Sequence, residues 1–109
     1  MKIVGIAACT AGIAHTYIAK EKLVNAAEKA GHEIHIETQG TTGTKEKLPS
    51  EKIKEADVVI IAADISVAGM ERFNDKNKVE IGTDVVIKAP NKFIKKVETL
   101  VKEANESRN

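Results

Sequence analysis

The chain has 109 residues, 42% of them hydrophobic and 30% charged, which fits one globular domain with a single core. With a formal net charge of +1, the overall charge gives no reason to expect binding to nucleic acid or to an anionic membrane surface. No apolar run is long enough for membrane insertion. The single cysteine excludes an intramolecular disulfide and a CxxC redox or zinc motif, which favours a reducing, cytoplasmic setting.

The N-terminal segment predicts a buried strand, a short loop and a long helix. Residues 3–8 form a continuous apolar run, typical of a central parallel strand, and residues 16 to about 30 place alanine and leucine on one helical face. The loop between them contains Cys9. Because N–H groups at a helix start lack intrahelical partners and carry partial positive charge, such a loop favours a thiolate or a phosphoryl group. Cys9 is therefore the candidate nucleophile.

The middle of the chain continues with alternating strand and helix patterns. Residues 33–37 alternate apolar and polar side chains, as in an edge strand, and residues 38–44 carry two glycines, which predicts a loop. Ser50 is the predicted N-cap of a short helix. Residues 58–63 form a second continuous apolar run, which predicts the other central strand.

The C-terminal part begins with an irregular segment over residues 65–77 and a short edge strand over residues 78–81. From about residue 91 the apolar spacing predicts an amphipathic helix that ends near residue 104. We therefore predict a single domain over residues 1–104, followed by a frayed polar tail over residues 105–109.

These elements predict an α/β fold, a three-layer sandwich around a four-stranded parallel sheet in the order 2-1-3-4. Such a sheet is doubly wound and Rossmann-like, with right-handed crossovers and helices on both faces. Ligands bind to these sheets beyond the carboxyl ends of the strands, where the winding direction reverses. Cys9 follows strand one and Asp64 follows strand three, so both fall at that point.

The loop after the first strand has a composition that suits a bound phosphoryl group. Its backbone N–H groups can surround phosphate, and a glycine permits close approach. A Walker motif needs a Gly-Lys-Ser/Thr ending that is absent, and the C-x5-R loop of cysteine phosphatases has arginine where this chain has histidine. Without that arginine, hydrolysis is less well catalysed, which favours a phosphoryl carrier. The predicted phosphate-binding loop comprises Thr10, Ala11, Gly12, Ile13, Ala14, His15 and Thr16.

The stretch Ala8-Cys9-x-x-Gly12-Ile13-Ala14-His15-Thr16 resembles the active loop of the fructose-specific enzyme IIB of the bacterial sugar phosphotransferase system (PTS). Residues 37–40, 56–64 and 69–73 resemble the same family. The resemblance implies a cytoplasmic domain whose cysteine, here Cys9, takes a phosphoryl group from a phosphohistidine of enzyme IIA. It then passes the group to fructose or a related hexose bound by the membrane permease, enzyme IIC, which holds the domain at the inner face of the membrane.

The loop departs from the family pattern at two positions. The family loop usually reads Ala-Cys-Pro-Thr-Gly, whereas this chain has Thr10 and Ala11 after the cysteine. The Thr10 hydroxyl is a candidate replacement for the missing threonine donor. No motif in the chain calls for a metal ion or an organic cofactor.

Several further residues have a candidate role beside an ordinary structural one. Thr38, Gln39 and Gly40 either line the site or only form a turn, and Asp64 either orients the cysteine loop or caps a strand end. His15 is a candidate acid, base or phosphate donor, against a plain helix-start residue.

Other side chains are interpreted more plainly. Arg72 is predicted to be a solvated loop residue, and His32 and His35 to be surface residues. A group of apolar side chains either forms a docking patch around Cys9 or belongs to the core, namely Ile13, Tyr17, Met70 and Phe73. Two other functions stay open, a low-molecular-weight phosphatase or arsenate-reductase-like enzyme, and a non-catalytic regulatory binding module.

Overall fold

The computed structural model describes residues 1–9, 13–40 and 43–107. Its strands are β1 (Lys2–Ala8), β2 (Glu33–Gly40), β3 (Gly43–Lys45), β4 (Val58–Ala63) and β5 (Lys78–Ile81). Its α-helices are α1 (Ile13–Lys29), α2 (Ser50–Glu55), α3 (Thr83–Lys88) and α4 (Pro90–Ser107), and Met70–Phe73 forms a 3-10 helix.

The strands form one sheet in the order β3-β2-β1-β4-β5. The pairs β1–β2, β1–β4 and β4–β5 are parallel, so the four strands predicted from the sequence have the predicted order 2-1-3-4. The predicted fold class is confirmed. The two continuous apolar runs are the central strands because both of their faces are covered by other parts of the chain.

Each face of the sheet carries its own core. Successive side chains of a strand point to opposite faces, so the residues of β1 divide between the two cores. On one face Ile3 and Ala7 pack with Leu23 of α1 and with Phe93 and Val97 of α4. On the other face the core is smaller, and it is built from β1 and β4 with a thin cover of α2 and the 3-10 helix, through Val4, Ile6, Ile53, Val59 and Phe73.

Residues 38–44 were predicted to be a loop, but residues 38–40 and 43–44 belong to strands β2 and β3. β2 continues to Gly40 and pairs antiparallel with β3, with Thr38 opposite Lys45 and Gly40 opposite Gly43. The hairpin covers the carboxyl half of β2, which would otherwise present an unpaired edge. Threonine favours extended backbone, and this preference is not visible as an apolar pattern.

Helix boundaries also differ from the prediction. Ser50 is the first residue of α2 rather than its N-cap; Pro49 is the N-cap, and no side chain caps this helix. α1 begins at Ile13 instead of residue 16, and the short helix α3 was not predicted. α4 continues to Ser107, so the polar tail predicted from residue 105 begins as helical backbone, while residues 108 and 109 lie outside the described residues.

Candidate functional site

Cys9 directly follows β1 at the carboxyl end of the sheet, and it is 3% exposed. Ala8 before it is paired with Gln39 of β2 on one side and with Ala63 of β4 on the other. The backbone N–H of Asp64 donates to the carbonyl oxygen of Ala8 at 3.0 Å. Cys9 therefore lies between the carboxyl ends of β2 and β4, which flank β1. The chain leaves β1 toward β2 and later returns to the other side of β1 to form β4. Ligands of doubly wound sheets usually bind at this point of reversal.

α1 begins four positions after Cys9, at Ile13, and its first turn contains no acidic side chain. Because the N–H groups at a helix start have no partner within the helix, this end of α1 suits an anion. Thr16 in this turn is 4% exposed. The predictions for Thr10, Ala11 and Gly12 lie outside the described residues, as do the side chains of Ile13, Ala14 and His15.

Glu37 of β2 is a buried carboxylate that the sequence interpretation missed. It is 1% exposed, and its two oxygens accept hydrogen bonds from the guanidinium of Arg72 at 2.8 and 3.1 Å. The Leu48 backbone N–H and the Gln39 amide also donate to it, each at 2.9 Å. Burial raises the pKa of Glu37, but the hydrogen bonds from these donors and the Arg72 charge outweigh burial and hold the pKa below its usual value.

Gln39 links the end of β2 to the segment that follows β4. Its Oε1 accepts from the N–H of Ala68 at 2.9 Å, and its Nε2 donates to the carbonyl oxygen of Ala68 at 3.0 Å. Thr38 and Gln39 are both buried, at 8% and 9% exposure. Gln39 thus has a structural role at the rim of the site, whereas the site-lining role of Thr38, Gln39 and Gly40 stays a prediction.

Asp64 caps α3. Its carboxylate accepts hydrogen bonds from the hydroxyl of Thr83 and from the Thr83 backbone N–H, the latter at 3.0 Å. Thr83 is the first residue of α3 and is fully buried, so this carboxylate satisfies a donor that the helix itself leaves unpaired. Asp64 therefore caps a helix start rather than the strand end that was predicted, and its orienting role at the cysteine loop stays a prediction.

The structure corrects the predicted surroundings of Arg72 and His32 and divides the predicted apolar group. Arg72 is not a solvated loop residue, because Glu37 holds its guanidinium. His32 is not a surface residue, because its ring contacts the amino group of Met1 at 3.1 Å and the Glu98 carboxylate at 2.7 Å. In the predicted apolar group, Phe73 is fully buried in the core and Tyr17 is 48% exposed.

The described part of the chain contains no group of three or more His, Cys, Asp or Glu side chains that could hold a metal ion. Within these described residues, no helix is long and apolar enough to cross a membrane.

Comparison with known proteins identifies a consistent set of relatives. The family model described as "PTS system, Lactose/Cellobiose specific IIB subunit" matches residues 4–96. The chain is 38% identical over 97 residues to the "PTS system fructose-like EIIB component 2" of Escherichia coli K12, covering 89% of this chain and 92% of that protein. It is 46% identical over 87 residues to the "PTS system fructose-specific EIIB'BC component" of Vibrio cholerae, covering 80% of this chain but spanning only 15% of that protein.

Solved structures show the same likeness. The solution structure of an enzyme IIB subunit of the PTS system from E. coli K12 superposes with a TM-score of 0.88 at 34% identity, covering 95% of this chain and 96% of that one. A domain of the fructose-specific IIABC component from Borrelia burgdorferi gives a TM-score of 0.80 at 42% identity, over 85% of this chain and 88% of that domain.

Proposed function

The chain belongs to the enzyme IIB family of the sugar phosphotransferase system, and on that premise we propose that Cys9 carries the phosphoryl group. The observation that carries the proposal is the place of Cys9 in the fold. It is the single cysteine of the chain, it stands at the carboxyl end of a central strand, and a helix begins four positions later. A helix N-terminus stabilises both a thiolate and a bound phosphoryl group.

The transfer proceeds in two displacements at phosphorus. In the first, the Cys9 thiolate attacks the phosphorus of a phosphohistidine; the S–P bond forms, the N–P bond breaks, and the donor imidazole is released. In the second, a sugar hydroxyl oxygen attacks the same phosphorus; the O–P bond forms, the S–P bond breaks, the thiolate is regenerated, and the hydroxyl proton passes to solvent water. Splitting the transfer this way is nucleophilic catalysis.

Phosphoryl transfer is favoured over hydrolysis because Arg72 is engaged by Glu37 instead of being available to a phosphate. A cysteine phosphatase clamps its phosphate with arginine in bidentate geometry, which stabilises the transition state for attack by water. This chain has two arginines, Arg72 and Arg108. Glu37 occupies the Arg72 guanidinium with two hydrogen bonds, and Arg108 lies outside the described residues. The phosphatase alternative therefore lacks support from Arg72.

The donor we propose is the phosphohistidine of an enzyme IIA, and the acceptor is a sugar held by a membrane enzyme IIC. Some relatives are named as fusions with further components, such as the "PTS system fructose-specific EIIABC component" of Bacillus subtilis, of which the matched part is 15%. The domain would then work in the cytoplasm, at the inner face of the membrane. Fructose or a related hexose is the proposed sugar because the relatives named above are fructose-specific or fructose-like.

Intact mass spectrometry tests the phosphocysteine directly. Wild type, Cys9→Ser and the exposed control Asn25→Ser are each incubated with phosphoenolpyruvate, the general phosphocarrier proteins and a fructose-type enzyme IIA. We expect one added phosphoryl group on wild type and on the control, and none on Cys9→Ser. Phosphorylation of the serine variant, or none of wild type with several competent donors, would contradict the proposal and favour a regulatory binding module.

The sugar is tested separately, in membranes that contain a candidate enzyme IIC. Fructose, lactose and cellobiose are compared as acceptors, because the matching family model names the latter two. We expect fructose phosphorylation that depends on Cys9. Turnover of cellobiose or lactose alone would replace the proposed sugar and leave the phosphocysteine intact.

A further inference from the structure

Residues 64–69, which we name the crossing loop, pass over the carboxyl end of β1. At one end, the Asp64 N–H donates to the Ala8 carbonyl oxygen at 3.0 Å; at the other, Ala68 is bonded twice to Gln39 of β2. β1 lies between β4 and β2, and neighbouring strands are about 4.8 Å apart. The chain between these two attachments therefore has to traverse the strand end that carries the cysteine.

The crossing loop lies on the α2 side of the sheet. Ile65 and Val67 pack against the core cluster that contains Ala8 and Phe73, whereas α1 packs against the opposite face. The loop and α1 therefore stand on opposite sides of Cys9. The crossing loop forms the wall of the site that the helix does not supply.

A buried cluster fixes the far end of this wall. The Nε of Arg72 donates to the Gly69 carbonyl oxygen at 2.7 Å, and its Nη2 lies 3.3 Å from that of Ala68. The other donors of the same guanidinium are held by Glu37, which is almost fully buried in the sheet. The loop backbone is thereby connected to β2 through a charge-assisted network.

Gly69 shows how closely the turn and Arg72 fit. Its φ is +77°, a conformation that side chains with a Cβ rarely adopt. A Cβ at this position would lie 2.7 Å from the Nε of Arg72. The Arg72 side chain thus already fills the space beside the turn, which explains why Gly69 and Arg72 occur together at this spacing.

We infer that Glu37, Gln39 and Arg72 are positioning residues that hold the crossing loop as a preformed wall for the docking of the phosphoryl-donor protein. The inference rests on the proposed function and deepens it. A loop that is already ordered loses little conformational entropy when a partner binds against it. Releasing the loop therefore weakens docking of the donor and leaves the chemistry at sulfur nearly unchanged.

The test compares Gln39→Ala with Val101→Ala, which removes core volume from α4 on the opposite face of the sheet. For Gln39→Ala we expect a KM for phosphorylated enzyme IIA raised about five- to tenfold, with kcat changed less than about twofold. Hydrogen exchange at the Ala68 N–H, which loses its acceptor, should accelerate. For Val101→Ala we expect lower thermal stability with KM and Ala68 exchange unchanged.

The outcomes distinguish failure of the positioning role from failure of the proposed function. An unchanged KM in Gln39→Ala, or an equal rise in the Val101→Ala control, would overturn the positioning role. A wild type that accepts no phosphoryl group would instead overturn the proposed function. In that case the exchange rate of the Ala68 N–H still decides whether Gln39 holds the crossing loop.

Discussion

At the scale of single residues, we expect stability to be most sensitive to substitution of Glu37. Its carboxylate is buried, and every hydrogen bond it accepts comes from another part of the chain or from Gln39 on the same strand. A buried charge is tolerable only when it is fully paired, and removing one partner leaves the other uncompensated. The same reasoning explains why this carboxylate stays ionised at neutral pH.

Glu37→Gln should lower the free energy of unfolding by about 3 kcal/mol at pH 7, because the Arg72 charge loses its partner. The folded-state pKa of Glu37 is lowered, so its stabilisation is present above the unfolded pKa of about 4.5 and is lost as pH falls through the folded pKa. Urea unfolding, followed as the pH falls from neutral to below the unfolded pKa, should therefore show a weaker acid dependence in the variant. The exposed control Glu21→Gln should match wild type.

Gly5 is a second position where stability is sensitive to a single added atom, the Cβ. It lies in β1, and a Cβ there would stand 2.5 Å from the carbonyl oxygen of Ile60 in β4. Gly5→Ala should therefore displace one central strand and destabilise the protein by about 1–3 kcal/mol. Thermal unfolding measures this loss. Gly40→Ala is the matched control, since a Cβ there meets nothing within 4 Å, and an equal loss in both variants would contradict the close-approach explanation.

At the scale of elements, short segments are held in position by side chains that are remote in the sequence. α3 has six residues, too few to be stable alone, and Asp64 at the end of β4 caps it. The turn before α2 is tied to α1 by the ion pair of Lys20 with Glu46. The hydrogen bond and charge of Lys20 lower the pKa of Glu46. Both contacts join segments that are remote in the sequence, since Asp64 and Thr83 are 19 positions apart and Lys20 and Glu46 are 26 apart.

Asp64→Ala should cost about 1 kcal/mol of stability, because the Thr83 N–H and hydroxyl both lose their acceptor. Hydrogen exchange in α3 should rise more than exchange in α4. Asp64→Asn keeps one acceptor oxygen and should recover part of the loss. Exchange that rises equally in both helices would show that Asp64 acts on the whole domain rather than as the cap of α3.

At the scale of the whole molecule, stability depends on a sheet with unequal covers. α1 and α4 supply a large core on one face, whereas the other face has only α2 and the 3-10 helix above β1 and β4. The thicker layer should carry most of the hydrophobic stabilisation. The thinner layer leaves room for the polar cluster of Glu37, Gln39 and Arg72 beside the site.

Leu23→Ala tests the thicker layer. Leu23 is fully buried, so the variant should lose about 2–5 kcal/mol of unfolding free energy through lost burial and a residual cavity. Leu100→Ala, at a leucine that is 38% exposed, should lose clearly less. Denaturant unfolding of both variants checks the difference, and equal losses would contradict the buried, well-packed position of Leu23 in this core.

The sequence by itself determined the order of the four parallel strands and the position of Cys9 directly after the first of them. Continuous apolar runs predict buried central strands and alternation predicts flanking ones, because side-chain burial repeats with the geometry of the backbone. The change from the first strand to α1 follows from the change of period, although the helix begins at Ile13 rather than at the predicted residue 16. The family resemblance, confirmed by the comparisons, rests on the same local stretches.

Only the tertiary structure decided which polar side chains meet. Arg72 and Glu37 are 35 residues apart, and Gln39 and Ala68 are 29 apart, so no local period or spacing connects them. The β2–β3 hairpin and the cap on α3 likewise depend on partners brought in by packing. A local pattern reports how a segment divides between core and solvent, whereas the pairing of buried polar groups is set by where remote segments cross.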